Sequence, residues 1–425
     1  METDGGYGWV VVFATFFTTL IEFGTFKSLS VFLTPVHETL ECPVSNLGTV
    51  FAMSHAICYI VAPLSGKAAT TRCGSRPFVM AGGVCNLAGL LVCSSSTSIG
   101  LLFVGMTLLG IGFTMSYAPL MITVVMYFPT RFALANGVLS TGAAVGMMVI
   151  PPLVELLIKT YGWPNAMAVL AAVNFNVTAC GALVRPPLGT HQRLINAADE
   201  ADTSTDPNLP HISLLRSVVV FLKDIPEKLS LDIFILAPAY SVYLLIWFLN
   251  GVIFSAWLIY LIPHAISKGI DARLASFLAT AGGIGNLVVR VVHGPAIDRG
   301  LITALKLLIL LSVLNAIAFF VDMVSYDYYH VLVILAIVNG AAVGIIGVVV
   351  MPVAQEVLIE PDLSVKGYLL SLPILALGEL CGGVFAGAFY EMIGNYNLAF
   401  VSLGGLSTVI AIAIIAERTY AVWSK

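Results

Sequence analysis

Two basic residues lie inside long apolar runs of the sequence, where an ionisable side chain is costly and is kept by default for a function. Arg290 lies in the eighth run, and Lys27 lies in the first, eighteen residues beyond Trp9. An arginine keeps its charge, and its planar guanidinium matches the two oxygens of a carboxylate. Arg290 therefore predicts a site for an anionic or zwitterionic carboxylate. Lys27 is a second cation in an apolar run. It is predicted either to have a function or to extend its ammonium group to the membrane interface.

The remaining ionisable groups in apolar runs carry weaker predictions. Glu379, in the eleventh run, could pair with a buried cation or take up a proton. His55 is more typical of a hydrogen-bonded packing group than of a proton relay. Glu356, near the end of the tenth run, is predicted to cap or brace that end. Glu22 is five residues from Lys27, a spacing that places them on different faces of a helix.

Several kinds of chemistry are excluded by missing motifs. Gly110-Ile111-Gly112 and Gly283-Ile284-Gly285 lack the third glycine and the strand–helix setting of a nucleotide-binding loop. The seven cysteines lack the spacing of zinc ligands, and no nucleophile–base motif is present. We therefore expect no enzyme, no cofactor, no metal site and no nucleic-acid partner.

The composition requires lipid as solvent. Of 425 residues, 59% are apolar and only 10% are charged, and the mean hydropathy is +0.99. A soluble protein carries about a quarter charged residues. At about 20 residues per span, the chain has room for a dozen transmembrane helices.

Apolar runs separated by short polar breaks predict the elements that position these residues. Twelve helices are predicted at 9–34, 46–69, 77–96, 100–127, 132–158, 163–184, 231–262, 272–297, 301–321, 328–357, 366–391 and 395–416. The polar stretch 185–230 contains Arg185-Pro186-Pro187 and an acidic run, and it is predicted to be a linker. Residues 1–184 and 231–425 would then form an N-terminal and a C-terminal six-helix bundle.

The distribution of basic residues orients this layout. With the N-terminus inside, fourteen of the nineteen lysines and arginines lie on the inner side and three on the outer side. Because such residues favour the cytoplasmic side, both termini and the linker are predicted to be cytoplasmic. Gly-and-Arg turns recur after the second and eighth helices, at 66–76 and 294–300. Two similar six-helix halves are typical of the major facilitator fold, an all-α membrane protein with its site between two pseudo-symmetric bundles.

Two segments resemble the signatures of a known family. Asp4-Gly5-Gly6-Tyr7-Gly8-Trp9 is similar to the opening signature of the monocarboxylate transporters (solute carrier family 16). Residues 127–137, YFPTRFALANG, resemble the second signature, with Phe132 where a second arginine is usual and Leu139 where an alanine is usual. The similarity extends over both bundles, and it implies alternating-access transport of small monocarboxylates, often with a proton.

The resemblance also implies roles for individual residues. Lys27, Asn136 and Arg290 fall on substrate-binding positions of the family, where the arginine grips the carboxylate. Asn286 occupies the position at which proton-coupled members carry an aspartate, and an amide cannot ionise. The helix-10 aromatic and serine positions are Gly347 and Met351 here, which suggests a reshaped pocket.

The expectation is a plasma-membrane, multi-pass transporter of small monocarboxylic acids, and symport with a proton stays open. One alternative is a proton-independent facilitator of a larger carboxylate-bearing substrate, such as a creatine- or carnitine-like zwitterion or an aromatic amino acid. Another is a transport-dead receptor on the same fold. The family further implies a single-pass, immunoglobulin-like ancillary glycoprotein as partner. The only sequon, Asn176-Val177-Thr178, falls inside the sixth helix, so we expect this chain to be unglycosylated.

Overall fold

The fold is all-helical in the computed structural model. The described residues are 5–69, 74–128, 131–185, 237, 239–325, 328–358 and 360–423. They form α1 (Gly8–Leu40), α2 (Val44–Ala69), α3 (Ser75–Ser94), α4 (Ile99–Tyr127), α5 (Phe132–Tyr161), α6 (Trp163–Leu183), α7 (Tyr240–Ser267), α8 (Ala272–Asp298), α9 (Ala304–Val324), α10 (Tyr329–Val357), α11 (Pro361–Ile393) and α12 (Asn397–Trp423). All twelve are long and apolar enough to cross a membrane. In hydrocarbon, a helix satisfies its backbone polar groups within the segment.

The prediction of twelve helices is confirmed, although several ends differ. Helix α1 continues to Leu40 instead of ending at residue 34, and it contains Pro35. A proline removes one backbone hydrogen bond of the helix. Membrane helices tolerate this loss when neighbouring groups satisfy the freed carbonyl. Glu41 follows the last helical residue as its C-cap, and its φ of 48° is left-handed. Helix α12 continues to Trp423 beyond the predicted residue 416, and α7 ends at Ser267 beyond the predicted residue 262. The predicted linker lies outside the described residues from 186 onward, as do the predicted α7 residues 231–236.

The helices pack in two similar sets. In the first half, α1 packs on α5 and α6, and α3 packs on α4 and α6. In the second half, α7 packs on α11, α8 on α10, and α9 on α12. The pairing of α1 with α5 in the first half corresponds to that of α7 with α11 in the second, and the pairing of α3 with α6 corresponds to that of α9 with α12. This repetition agrees with the predicted pseudo-symmetric arrangement. The exact domain boundaries remain predictions.

Among the described residues, the two halves meet chiefly along the helix pairs α2–α11, α5–α8 and α1–α7, with a smaller contact between α2 and α7. We call the side on which α1 begins and α12 ends the terminal side, and the opposite side the far side. The far side is closed by contacts between the halves. The amide N–H of Ser45 donates to Glu391 (2.8 Å). The Tyr260 hydroxyl, which bonds to the carbonyl of Gly383 within its own half (2.6 Å), also lies 3.3 Å from the carbonyl of Val44 on α2. A Cβ atom on Gly48 would collide with that hydroxyl, so the small residue permits close packing of α2, α7 and α11.

Candidate substrate-binding cavity

A cavity of about 800 Å³ lies between the halves. Both halves line it, through residues of α1, α2, α4 and α5 on one side and of α7, α8, α10 and α11 on the other. Most of these residues lie in the terminal half of their helices. A central cavity between the two bundles, walled on one side by contacts between them, is the arrangement expected of an alternating-access transporter.

Arg290 lies in the wall of this cavity, and Asn286 holds its side chain. The Nε atom of Arg290 donates to Oδ1 of Asn286, one helical turn earlier, at 2.6 Å. Asn286 itself is buried, and the absent Cβ of Gly344 leaves the space that its amide occupies. Among the described residues, the guanidinium of Arg290 makes this one hydrogen bond, so its two terminal nitrogens are left for a ligand. The arrangement orients a guanidinium without neutralising its charge.

Three other predicted site residues also line the cavity. Asn136 enters from α5, and Gly347 and Met351 enter from α10. A Cβ atom built on Gly347 would lie 3.9 Å from a terminal nitrogen of Arg290. The glycine therefore leaves open space beside the guanidinium. The structure thus brings Asn136, Arg290, Gly347 and Met351 to one cavity.

Lys27 is placed elsewhere. Its side chain is 0% exposed and is not among the residues that line the cavity. Its ammonium donates to the carbonyls of Leu258 (3.0 Å) and Trp257 (3.3 Å), and it lies 4.0 Å from the centroid of the Trp257 ring. Carbonyl oxygens and an aromatic face are partners that compensate a buried ammonium. In this state of the protein, Lys27 joins α1 to α7 on the far side.

Glu379 has a buried imidazole as its partner, and which of its two predicted roles it fulfils stays a prediction. Its Oε2 lies 2.8 Å from Nδ1 of His55, and the two residues come from α11 and α2. His55 lines the cavity, whereas Glu379 lies behind it. The interpretation of His55 as a packing group is thus incomplete, because its partner is a carboxylate on the other half. No sequence signal joins two residues 324 positions apart on different helices.

Aromatic side chains form much of the remaining wall, and sequence reasoning missed them. Phe254 stacks on His55 with ring centroids 5.1 Å apart, and Tyr117 stacks on Phe113 at 5.7 Å. Tyr59 contacts the edge of His55 at 5.2 Å. In a chain with 10% aromatic residues, nothing in the sequence separates these residues from lipid-facing ones.

Two further carboxylates have structural partners. Glu22 is buried and accepts hydrogen bonds from the Asn86 amide (3.0 Å) and the Ser116 hydroxyl, all within the first half. Glu356 accepts a hydrogen bond from the backbone N–H of Leu305 at the start of α9 (3.1 Å). The predicted capping role of Glu356 is thus seen, with α9 as the helix it caps. Among the described residues, no group of His, Cys, Asp or Glu is arranged to hold a metal ion.

Comparisons with known proteins agree with this architecture. A family model described as Major Facilitator Superfamily matches residues 15–358. Monocarboxylate transporter 13 of Rattus norvegicus is 28% identical over 94% of this chain and 86% of its own length. Monocarboxylate transporter 3 of the same organism is 28% identical over 98% of this chain and 81% of its own length.

A crystal structure of the peptide transporter POT in complex with alafosfalin superposes with a TM-score of 0.71, covering 96% of this chain and 94% of that one. At 16% identity, this likeness concerns the fold alone. The relatives are transporters rather than enzymes. The chain therefore belongs to the major facilitator superfamily of secondary transporters, and the relatives that it resembles over most of its length are monocarboxylate transporters.

Proposed function

We propose that this protein carries small monocarboxylic acids across the plasma membrane by alternating access, with Arg290 as the residue that binds the carboxylate. The observation that carries the proposal is an oriented guanidinium in the central cavity, bonded to a neutral amide and not to a carboxylate. Arg290 is the one Lys, Arg, Asp or Glu side chain among the described residues that line the cavity. Its terminal nitrogens have the fork geometry that binds a carboxylate through two parallel hydrogen bonds. The names of the relatives support the same substrate class.

Asn136, Gly347 and Met351 would contact the remainder of the substrate, since they line the same cavity. Asn286 would act by orienting Arg290. Lys27 would reach the substrate only after α1 and α7 separate on the far side, because its ammonium is now occupied by backbone carbonyls. Lys27 is therefore proposed as a substrate contact of the state that is open to the far side.

A second candidate function is the transport of a larger carboxylate-bearing substrate without a proton. The size of the cavity favours it, because about 800 Å³ lies toward the upper end of the ~300–1,000 Å³ range of drug-sized sites. Gly347 beside Arg290 and the aromatic wall around Phe254 would suit a substrate such as an aromatic amino acid or a creatine-like zwitterion.

Counterflow in proteoliposomes tests both candidates. Purified protein is reconstituted, and exchange of labelled L-lactate, pyruvate, phenylpyruvate, tryptophan and creatine is measured with and without a pH gradient. Saturable exchange of lactate or pyruvate supports the first candidate. Exchange of only the larger probes without any effect of pH supports the second. Absence of saturable exchange for the whole panel would contradict both and favour a transport-dead receptor.

The location of the protein completes the proposal. Both termini would lie in the cytoplasm, so that the terminal side is the cytoplasmic side. The sequon residue Asn176 lies within α6, where its amide bonds to the carbonyls of Ala172 and Val173. An unglycosylated chain of this family is proposed to depend on a single-pass, immunoglobulin-like glycoprotein to reach the surface. Epitope tags at each end, stained before and after permeabilisation with and without such a partner, test these statements.

A further inference from the structure

The pair formed by His55 and Glu379 is unlike the other buried carboxylate contacts of the cavity region. The pair joins the two halves, and both side chains are almost fully buried, at 3% and 1% exposed. By contrast, Glu22 is bound by neutral donors of its own half. A neutral imidazole beside an ionised carboxylate leaves one negative charge in apolar surroundings. One added proton removes that charge, as imidazolium and carboxylate or as imidazole and carboxylic acid.

Near the pair, the described residues include one other carboxyl group, Glu22, and one other imidazole, that of His293. Glu22 accepts hydrogen bonds within the first half, and His293 lines the cavity from α8 with its Nδ1 facing the carbonyls of Val289 and Arg290. The His55 ring is enclosed by Phe254 and by Phe26, whose centroid is 4.9 Å away. From α7, the packed neighbour is the apolar ring of Phe254. The titratable groups nearby also include Cys58 and Tyr59 from α2, Tyr117 from α4, Arg290 from α8, Tyr368 from α11, and Glu22 and Lys27 from α1. Lys27 is bound by α7 carbonyls, and Glu22 has its own donors.

The pair is part of the α2–α11 contact that closes the far side. Along this contact, Ser45 bonds to Glu391, Gly48 packs on Gly383, and His55 pairs with Glu379. The successive contacts follow one face of each helix from the far side to the cavity. Opening the far side must separate these two faces, so the pair is intact only while that side is closed. The proton affinity of the two groups therefore depends on the state of the transporter.

The formal charges of the cavity region determine when a proton is needed. In the empty cavity, the positive charge of Arg290 and the negative charge of Glu379 sum to zero while His55 is neutral. Tyr59 lies within electrostatic range of both charges. A bound carboxylate adds one negative charge, and one proton on the His55–Glu379 pair restores neutrality. Because moving net charge through a low-dielectric centre is unfavourable, the loaded transporter changes state readily only with the proton bound.

We propose that the His55–Glu379 pair is the proton-binding site of this transporter, distinct from the carboxylate site at Arg290. The inference rests on the proposed function, because a carboxylate at Arg290 is what makes the proton necessary. One proton is taken from the side to which the cavity opens, and it is released with the carboxylate on the other side. The charge on Arg290 is the same in both states, so the step is electroneutral, with one anion and one proton moved together.

The test uses full-length protein in proteoliposomes and the probes L-lactate and phenylpyruvate. For each variant, counterflow at equal pH is compared with net uptake driven by an inward proton gradient. Wild type is expected to show net uptake that rises about tenfold or more with the gradient, a size typical of thermodynamic coupling between two sites. Glu379→Gln is expected to lose this increase and to keep measurable counterflow, because exchange needs no net proton movement.

Glu391→Gln is the matched control. Glu391 lies on the same face of α11, and it also accepts a hydrogen bond across the halves. The amide keeps an acceptor there, so this variant is expected to keep the pH response of wild type. A pH response retained by Glu379→Gln, or lost equally in Glu391→Gln, would overturn the inference.

His55→Gln separates a proton-binding role from a structural one. Without the imidazole, a proton must bind the Glu379 carboxyl directly, so the midpoint of the uptake–pH profile is expected to move by about one pH unit or more. A lower maximal rate with an unmoved midpoint would contradict the inference. Wild-type counterflow without any effect of pH would overturn it while leaving the proposed function in place. Absence of all flux would instead overturn the proposed function, and the inference with it.

Discussion

Replacing Arg290 with lysine is the most direct test of the carboxylate site, because the change keeps the charge and removes the fork. Nε of Arg290 is occupied by Asn286 at 2.6 Å, which leaves two terminal nitrogens for the substrate. A lysine offers a single nitrogen that must serve both the amide and the substrate. At least one charge-assisted hydrogen bond to the carboxylate is lost, which is about 1.5–3 kcal/mol. At 1.4 kcal/mol per factor of ten, the half-saturation concentration should rise about 10- to 150-fold.

A glutamine at the same position removes the charge as well. The bound carboxylate would then lie in the cavity without a cation, and the loss should be about 2–5 kcal/mol. The half-saturation concentration is therefore expected to be lowest for wild type, higher for Arg290→Lys and highest for Arg290→Gln. The assay is counterflow of lactate and phenylpyruvate over a range of concentrations, at equal amounts of reconstituted protein.

Arg273→Lys provides the control for an arginine-to-lysine change as such. Arg273 lies near the far-side end of α8, beside Glu155 and Lys159, in a separate pocket. Its replacement should leave the half-saturation concentration within about twofold, since exposed charges contribute little. An Arg290→Lys variant with the same half-saturation concentration as Arg273→Lys would refute the assignment of Arg290 as the carboxylate ligand.

Three other changes have expected outcomes. Gly347→Leu places a side chain in the open space beside Arg290 and should slow phenylpyruvate more than lactate, by about tenfold or more in relative rate. Equal slowing of both probes would contradict the interpretation that the open space beside Arg290 holds the larger side chain of phenylpyruvate. Lys27→Met removes the contacts with the Trp257 and Leu258 carbonyls and the proposed contact with substrate in the state open to the far side, so it should lower the counterflow rate and raise the half-saturation concentration for substrate added on that side. An unchanged half-saturation concentration on the far side would contradict the proposed substrate contact. Glu356→Gln removes a charge at the start of α9 and should reduce stability by about 0.3–1 kcal/mol, measured as thermal unfolding in detergent.

The helices were predictable because lipid imposes a simple rule on sequence. A span must be apolar over about 20 residues, so its presence is read from composition alone. Its ends are not fixed by that rule, because they depend on contacts outside the hydrocarbon. Helix α1 shows this, since Trp163 at the start of α6 donates to the hydroxyl of Thr39 in the last turn of α1 (3.0 Å).

Arg290 was predictable from its charge inside an apolar run as well as from the family pattern, whereas Asn136, Gly347 and Met351 were predictable only from that pattern. The structure brings all four residues to one cavity. The partner of His55 could not be found in this way. Pairing between α2 and α11 follows from how the halves close on the far side, which is a property of tertiary packing and of one state in the transport cycle.

Asn286 shows how one substitution changes the charge arrangement of the site. The amide accepts a hydrogen bond from Arg290 in the same way as a carboxylate would, so the guanidinium keeps its orientation. An aspartate there would also cancel the charge of Arg290 and would compete with the substrate until it bound a proton. An amide does not neutralise the guanidinium, and in the proposed mechanism the negative counterpart of Arg290 is Glu379, behind His55. The group that orients the arginine is thereby distinct from the group proposed to bind the proton, and the cavity that both border is the proposed substrate site.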